Sequence, residues 1–350
     1  VEDVAKITRA FMEEDPDGNG KDDTAPLPAT SALYKGDTAT FDWVFGANNA
    51  YPGDWIEKDG KIVYGSIQPE TRAALLELQK MYKNGLIDKE FPIKDSGKAV
   101  EPVMSNKAGV FQGAWWSTWW PIQSSVKNDK NAEWKAYFIK SDDGNSYARS
   151  YPVVRHITVV RKDYEHPEAI MKLANWYQLA SLKKLDWYND LEGKDGKYAN
   201  TDAALWPVDH VGAKYIDEIS RRYNKIMEVM NGDVNYENAE NETKFQVDQI
   251  KSYKEQDKAT DDMALWSSAN QWLKGASVFT RNDIKQKIPA FAGTTKLMSR
   301  KESILRDLEM QTFLNIITGR RSIEKFDEFV ETWKRLGGKD ITEEINQIVD

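Results

Sequence analysis

The chain has 350 residues, of which 30% are charged, 40% hydrophobic and 11% aromatic, with a formal net charge of −8. This length allows roughly two or three domains with sizeable cores, and the acidic balance argues against a nucleic acid or an anionic membrane surface as partner. The absence of cysteine excludes disulfides, thiolate zinc sites and cysteine nucleophiles, and no apolar run reaches the ~18 residues of a membrane-spanning helix.

Hydrophobic periodicity and turn residues predict an alternation of helices and short strands, which is typical of the α/β class. A first helix at 2–14 is followed by a loop, and Asp59-Gly60 predicts a hairpin turn within 57–65. The clearest helix starts at Pro69 and ends at Gly85. The remaining predicted elements are strands at 108–113 and 151–161, a helix from Pro167 to about Leu182, a polar helical region at about 210–275, and helices at about 301–318 and from Ser322 to Gly337.

The stretch DPDGNGKDD at 15–23 has the ligand spacing of an EF-hand calcium loop. Its ligand and turn positions are Asp15 (position 1), Asp17 (3), Asn19 (5), Gly20 (6), Lys21 (7, through its carbonyl) and Asp23 (9). Position 12 is Pro26 and not the bidentate glutamate, which favours a weak, permanently filled extracellular-type Ca²⁺ site over a sensor. The alternative is a solvated Asp/Asn/Gly turn.

Four tryptophans stand within residues 115–120, in the stretch GVFQGAWWSTWWPI. Burying one indole contributes roughly 5 kcal/mol, so burying all four would exceed the usual net stability of a domain, about 5–15 kcal/mol. We therefore expect some of them to contact a ligand; the alternative is that all four are core. If a helix begins at residue 115, free N–H groups near Ser117 beside indole faces suit a sugar. The candidate stacking residues are Trp115, Trp116 and Trp119, with Trp43, Trp206 and Trp266 in loop-like contexts elsewhere.

Polar candidates for ligand contact are fewer. Arg149 and Arg155 flank a Tyr-Pro turn and suit a carboxylate or sulfate, ordinary surface arginine being the alternative; Asn48 is a further candidate. The three histidines are far apart, and no nucleophile elbow, Walker loop or Gly-x-Gly-x-x-Gly motif occurs. No pair among the 56 acidic residues stands out as the carboxylates of a glycoside hydrolase.

Six stretches spread over nearly the whole chain are specific in combination. They are DPDGNGKDDT (15–24), YKNGLIDKEF (82–91), NKAGVFQGAWW (106–116), KDYEHPEAIMKLANWY (162–177), PAFAGTT (289–295) and the region 313–346. In this order they resemble the extracellular solute-binding proteins of Gram-positive-type ABC importers, in the branch that binds large oligosaccharides.

The resemblance implies an α/β, two-lobe periplasmic-binding-protein-like fold (type II), in which hinge closure clamps the ligand between the lobes. Residues 1–148 would belong to the second, C-terminal lobe, residues 149–288 would return into the first lobe, and residues 289–350 would supply closing helices of the second lobe. It also implies that the chain is a fragment with an incomplete first lobe, without the signal peptide and the lipid-anchoring cysteine.

The resemblance further implies a non-enzymatic monomer that captures an oligosaccharide and delivers it to the membrane permease of an ABC importer. Such a protein is extracellular, lipid-anchored or periplasmic, in a bacterium. Trp115 resembles the position where maltose-binding-type relatives stack a sugar, and Trp43 falls in the loop that supplies another aromatic. Calcium is structural in this family, although relatives often carry an acidic residue where Thr24 stands. The alternatives are a carbohydrate-active hydrolase, or a binder of peptides or other small solutes on the same scaffold.

Overall fold

The computed structural model describes residues 1–16, 18, 20–152, 154, 156–187, 211–256 and 262–349. Contacts divide the chain into two units. Unit 1 comprises Val1–Ala114, Tyr137–Pro152 and Asn282–Asp350; unit 2 comprises Trp115–Ala136 and Val153–Arg281. This division differs from the predicted boundaries, because the segment with the clustered tryptophans groups with unit 2. The assignment of these units to a first and a second lobe stays a prediction.

Helices and strands are numbered in chain order over the described residues. Those of unit 1 are α1 (Glu2–Glu13), α2 (Asp42–Ala47), β1 (Trp55–Lys58), β2 (Lys61–Tyr64), α3 (Pro69–Lys83), α4 (Ser96–Ala99), α5 (Glu101–Met104), β3 (Ser146–Arg149), β4 (Ile284–Lys287), α11 (Met298–Ile317), α12 (Lys325–Trp333) and α13 (Lys339–Val349). Those of unit 2 are α6 (Ile122–Asn128), α7 (Ala169–Ser181), α8 (Glu218–Asn231), α9 (Asn241–Lys254) and α10 (Met263–Asn270).

The hairpin of β1 and β2 follows from its turn chemistry. Asp59 and Gly60 have φ angles of 52° and 73°, and a type I′ turn requires positive φ at both central residues. The antiparallel pairing of the two strands confirms the predicted hairpin. Asn346 of α13 holds β2 in place, since its Oδ1 accepts from the Ile62 N–H at 2.9 Å and its Nδ2 donates to the Ile62 carbonyl at 2.9 Å.

The core of unit 1 joins α3 to the C-terminal helices. Gln79 of α3 donates to the carbonyl of Ile316 (2.7 Å), in the last turn of α11, and to that of Arg321 (3.1 Å), after the helix, so that it satisfies carbonyl groups at and beyond the helix end. The helices predicted at 69–85 and 301–318 are confirmed, with ends shifted by a few residues. The largest buried side chains of this core include Trp333, Phe41, Phe45, Phe91, Phe313, Leu33, Leu75, Leu78 and Ile87.

A second small sheet consists of β3 and β4, which pair in parallel from Ser146 opposite Ile284 onwards. The strands predicted at 108–113 and 151–161 are wrong, because no described residue in these ranges belongs to a strand. Ile157 and Val159, whose β-branched side chains suggested the second strand, are 81% and 83% exposed. Strand propensity mainly reflects packing on neighbouring strands, and these residues have no such packing here.

Among the described residues of unit 2, the regular secondary structure is helical. The helix predicted from Pro167 is confirmed as α7, and the helical region predicted at 210–275 as α8 to α10. Beyond α10 the chain continues through a π-helical turn, Gln271–Gly275. The core shared by α8, α9, α10 and the turn after them is formed by Ile226, Val247, Ile250, Ala269, Trp272 and Ala276. Among the described helices of both units, none has the length and apolar character needed to cross a bilayer.

Glu309 of α11 places a carboxylate in the core of unit 1, with no exposed surface. It accepts hydrogen bonds from the hydroxyls of Tyr34, of Tyr64 (2.9 Å) and of Ser66 (2.7 Å). The Ser66 hydroxyl in turn accepts from the Gly53 N–H at 2.7 Å. Burial raises the pKa of Glu309 above its ordinary value of 4.5, although the three hydroxyl donors act in the opposite direction, because desolvation disfavours the charged form.

This pKa shift predicts a pH dependence of stability. Because the pKa of Glu309 is higher in the folded than in the unfolded state, its contribution to stability is complete below about pH 4.5 and is lost as the pH rises through the folded pKa. We expect the urea concentration at the midpoint of unfolding to decrease in the wild type as the pH rises from about 4.5 through the folded pKa of Glu309. Glu309→Gln, which has no titrating group at this position, should lack this decrease. Glu302→Gln, at an exposed position of the same helix, should retain the wild-type dependence. Identical pH profiles for the wild type and Glu309→Gln would contradict this prediction.

Candidate functional site

The four clustered tryptophans lie in a turn. Residues 115–121 form this tryptophan turn, and α6 begins only at Ile122. The condition that a helix begins at residue 115 is therefore not met, and free amides near Ser117 do not belong to a helix N-terminus. All four indoles are half-buried. These four residues are thus neither fully buried nor fully exposed, as we expect of residues that pack on the protein and still reach a ligand.

Trp115 packs on a tryptophan from a distant part of unit 2. Its ring centroid is 5.2 Å from that of Trp272, with the ring planes tilted by 45°. Trp272 is only 1% exposed and belongs to the core of unit 2. The backbone approaches closely at the same place, because a Cβ atom added to Gly275 would lie 1.8 Å from the Trp115 carbonyl oxygen. Trp115 therefore rests on a buried aromatic ring and on a glycine backbone.

The other end of the tryptophan turn is fixed by hydrogen bonds to α10 and the residue after it. The Trp119 indole N–H donates to Gln271 Oε1 at 2.9 Å. Thr118 Oγ1 donates to the Ser267 carbonyl at 3.0 Å, and Ser267 Oγ donates to the Thr118 carbonyl at 2.8 Å. These bonds hold Trp119 at a defined position relative to α10. Trp116 stands between Trp115 and Trp119 in the sequence.

Trp266 and Trp206 are two further tryptophans that the sequence predicts to contact a ligand. Trp266 lies within α10, not in a loop, and is 6% exposed. Its burial in unit 2 contradicts the expectation that it contacts a ligand. Trp206 lies outside the described residues, as does Arg155, and their roles stay predictions.

Trp43 and Asn48 belong to unit 1. Trp43 on α2 is half-buried and packs against the core of that unit. The side-chain amide of Asn48, just after α2, donates to the Val44 carbonyl at 3.0 Å and to Glu77 Oε2 at 2.8 Å. Its two N–H donors are thus engaged within unit 1, where they close the end of α2.

Arg149 at the end of β3 binds carboxylates, as its chemistry predicts, but they belong to the chain itself. Its Nε donates to Asp42 Oδ1 at 3.2 Å, its Nη1 pairs with Asp54, and its Nη2 donates to the Pro52 carbonyl at 2.9 Å. Lys35 Nζ lies 2.8 Å from the same Asp54. Since unit 1 engages all three guanidinium nitrogens of Arg149, this side chain serves as an internal tether in the structure. The expected clamp on a ligand carboxylate is not supported.

The candidate calcium loop is curled in its described part. Asp15, Gly18 and Gly20 have φ angles of 44°, 65° and 72°, and Asp15 Oδ2 accepts from the Gly20 N–H at 2.8 Å. Asp23 lies 3.3 Å from Lys107 Nζ. The turn at Gly20 matches the sharp turn of an EF-hand loop, while in the structure the carboxylates of Asp15 and Asp23 are engaged by the Gly20 N–H and by Lys107.

Two of the five candidate ligands, Asp17 and Asn19, lie outside the described residues, while Lys21 is inside them. Across the described ranges, no group of three or more His, Cys, Asp or Glu side chains is arranged to hold a metal ion. The calcium site therefore stays a prediction that rests on the spacing of residues 15–23 and on the curled loop.

No protein-family model matches the chain. Its sequence is similar to that of lipoprotein LipO of Bacillus subtilis (strain 168), with 26% identity over 358 residues that cover 99% of this chain and 64% of LipO. It is also similar to the polygalacturonan/rhamnogalacturonan-binding protein YtcQ of the same organism, with 30% identity over 113 residues that cover 32% of this chain and 22% of YtcQ. The chain thus spans less than two thirds of the length of LipO.

Solved structures identify the fold. The ABC-transporter substrate binding protein FusA of S. pneumoniae, as an EF-hand mutant in complex with fructo-nystose, matches with a TM-score of 0.57 at 14% identity, over 100% of this chain and 67% of FusA. The alginate-binding protein AlgQ2 without calcium ion matches with a TM-score of 0.53 at 14% identity, over 99% of this chain and 67% of AlgQ2. The chain has the fold of ABC-transporter solute-binding proteins. The predicted α/β periplasmic-binding-protein-like fold is thereby confirmed.

The similar proteins whose names state an activity, YtcQ, FusA and AlgQ2, are binding proteins. The prediction that the chain is a binding protein and not an enzyme agrees with these similar proteins.

Several residues that shape the candidate site are absent from the sequence-based expectations. Trp272 and Gly275 support Trp115, and Gln271 fixes Trp119. The stretch QWLKG at 271–275 was part of a region predicted only as helical. A tryptophan followed three residues later by a glycine, in an otherwise polar helical region, is the signal that the sequence offers, and it does not show which segment packs there.

Proposed function

We propose that the chain is the substrate-binding component of a carbohydrate ABC importer, which captures an oligosaccharide by aromatic stacking and delivers it to a membrane permease. The observation that carries this proposal is the tryptophan turn, where the half-buried indoles of Trp115, Trp116 and Trp119 lie within five residues. Two of them are held by fixed partners. Preorganised rings of this kind lose little conformational entropy when a sugar binds. The fold and the carbohydrates named for YtcQ, FusA and AlgQ2 also support it.

We propose that capture proceeds by hinge closure of the two lobes that the family resemblance implies, a motion known from periplasmic binding proteins. We propose an extracellular or periplasmic, lipid-anchored location, supported by the similarity to lipoprotein LipO, and a monomeric protein. No bond is broken in this mechanism, since the protein only binds and releases its ligand.

A tryptophan-fluorescence titration tests this function. The panel consists of nystose, oligogalacturonates of defined length and short peptides, in calcium buffer. We expect a saturable change with one sugar class, no sugar turnover, and an affinity at least about tenfold lower in Trp115→Ala, because loss of a central aromatic anchor commonly costs more than about 1.4 kcal/mol.

The matched control is Trp134→Ala, which removes a half-buried tryptophan of the same unit outside the tryptophan turn. This variant should bind the sugar like the wild type. A response to peptides but to no sugar would refute the carbohydrate function, and sugar hydrolysis would favour an enzyme.

We also propose that the loop at 15–23 holds a structural Ca²⁺, with Asp15, Asp17, Asn19 and Asp23 as side-chain ligands and Lys21 as a carbonyl ligand. The φ angles and the Asp15–Gly20 hydrogen bond support this assignment. The similar structures of FusA as an EF-hand mutant and of AlgQ2 without calcium ion are consistent with it. A bound cation would also offset the repulsion among the acidic side chains of this loop.

Calcium removal is therefore expected to lower the thermal stability. At a free Ca²⁺ concentration of about 100 times its Kd, binding stabilises by about 2.7 kcal/mol, which corresponds to a few degrees in Tm. We expect EGTA to lower the Tm by this amount in the wild type and to have no effect on Asp15→Asn. Asp142→Asn, in the turn SDDGNS at 141–146 that lacks the ligand spacing, should respond like the wild type. A Tm that EGTA leaves unchanged in the wild type would contradict the site.

A further inference from the structure

Arg222 of α8 lies over the ring of the tryptophan that supports Trp115. Its guanidinium carbon is 4.9 Å from the ring centroid of Trp272, within the range of cation–π attraction. Its Nε atom is buried and has no hydrogen-bond partner among the described residues. The Nε side of the guanidinium is thus engaged by packing and not by a hydrogen bond, and the Trp272 ring is one of the surfaces that it packs on.

The pair of Arg222 and Trp272 is anchored by α9. Arg222 Nη2 forms an ion pair with Glu242, and the two side chains are 23% and 15% exposed. The Trp272 indole N–H donates to Gln246 Oε1 at 2.9 Å. Glu242 and Gln246, one turn apart on α9, therefore hold the Arg222 guanidinium and the indole N–H of Trp272. Partial burial strengthens the electrostatic attraction between the guanidinium and the ring.

Trp272 transmits this arrangement to the tryptophan turn. The ring centroids of Trp272 and Trp115 are 5.2 Å apart. The backbone of Trp115 has no room to move towards Gly275, because Gly275 is already packed against the Trp115 carbonyl. Interiors are packed densely enough that a rotation of one ring displaces its neighbour. The orientation of Trp115 is consequently coupled to the position of the Arg222 guanidinium.

We infer that Arg222 is a positioning residue for oligosaccharide binding, which orients the Trp115 ring by holding Trp272 through its guanidinium face. This inference rests on the proposed function for its consequence in affinity. The positioning step itself concerns only the described contacts of unit 2. It is distinct from a general contribution of Arg222 to stability, because it predicts a changed geometry of two indoles in protein that is still folded.

The experiment combines near- and far-UV circular dichroism with the sugar titration, using nystose and trigalacturonate as probes. Two indoles in contact give a coupled dichroism signal that depends on their mutual orientation. Other tryptophan pairs also lie close together, Trp55 with Trp333 and Trp176 with Trp187. The coupled signal of the Trp115–Trp272 pair is therefore measured as the difference between the spectrum of each protein and that of the same protein carrying Trp115→Phe. The test variant is Arg222→Met/Glu242→Gln, which avoids leaving a buried unpaired carboxylate. Arg222→Lys retains the charge without the planar face. The matched control is Arg221→Met, on the same helix, where the arginine instead pairs with Asp217 and lies over Tyr215.

We expect the coupled signal to be lost in the double variant, partly restored in Arg222→Lys and unchanged in Arg221→Met, with cooperative unfolding preserved in all three. The affinity for the probe that binds the wild type should fall about threefold to tenfold in the double variant. An unchanged coupled signal and affinity in the folded double variant would overturn the inference. If neither probe binds the wild type, the proposed function fails for these sugars, and the coupled signal alone decides whether Arg222 positions Trp115.

Discussion

Replacing Glu309 with alanine is expected to lower the free energy of unfolding of unit 1 by about 3 to 5 kcal/mol. The substitution removes the shared acceptor of the Tyr34, Tyr64 and Ser66 hydroxyls, and each buried polar group left without a partner costs about 1–3 kcal/mol. It also opens a cavity at a position with no solvent access. Removing the desolvated carboxylate offsets a part of this loss.

Urea denaturation at neutral pH measures the effect. Glu302→Ala, at an exposed position of the same helix, should stay within about 0.5 kcal/mol of the wild type. Glu309→Gln should fall between the two, since its carbonyl oxygen still accepts hydrogen bonds. A Glu309→Ala variant as stable as Glu302→Ala would show that the three hydroxyls find other partners.

Replacing Gly275 with alanine is expected to destabilise unit 2 by about 2 to 4 kcal/mol and to disturb the tryptophan turn. The backbone of Gly275 has helical angles, φ −74° and ψ −55°, so alanine would ordinarily be favoured there by about 1 kcal/mol. The new Cβ atom, however, would lie 1.8 Å from the carbonyl oxygen of Trp115 and 2.8 Å from its carbonyl carbon. Because these are backbone atoms, no side-chain rotation relieves the overlap.

Thermal unfolding and the fluorescence spectrum measure this second effect. We expect a lower Tm, a shifted tryptophan emission and a weaker sugar response in the same variant. Gly97→Ala in α4 is the control, because its Cβ atom would meet only the end of the Asp95 side chain, at 3.3 Å. That change should be neutral or slightly stabilising. Wild-type stability and emission in Gly275→Ala would contradict the close packing of the two segments.

Local patterns in the sequence determined much of the secondary structure. The hairpin follows from two residues, Asp59 and Gly60, that both adopt positive φ, and the helices α3 and α11 follow from apolar periodicity ended by glycine. The candidate calcium loop is likewise a pattern within nine residues. Such features depend on interactions between near neighbours in the chain, and the sequence displays those neighbours directly. The family resemblance, carried by six stretches in order, predicted the fold that the structural comparisons confirm.

Tertiary contacts alone decided the roles of individual side chains. Arg149 binds Asp54, 95 residues away, and not a ligand, while Trp119 finds its acceptor 152 residues further on. Trp266 is buried, and the β-branched residues at 157–160 form no strand.

The physical reason is the same in each case. An arginine, an indole or a β-branched side chain has the same intrinsic chemistry whether its partner is a ligand, a core residue or another strand. Only the packing of segments that are distant in sequence selects between these partners.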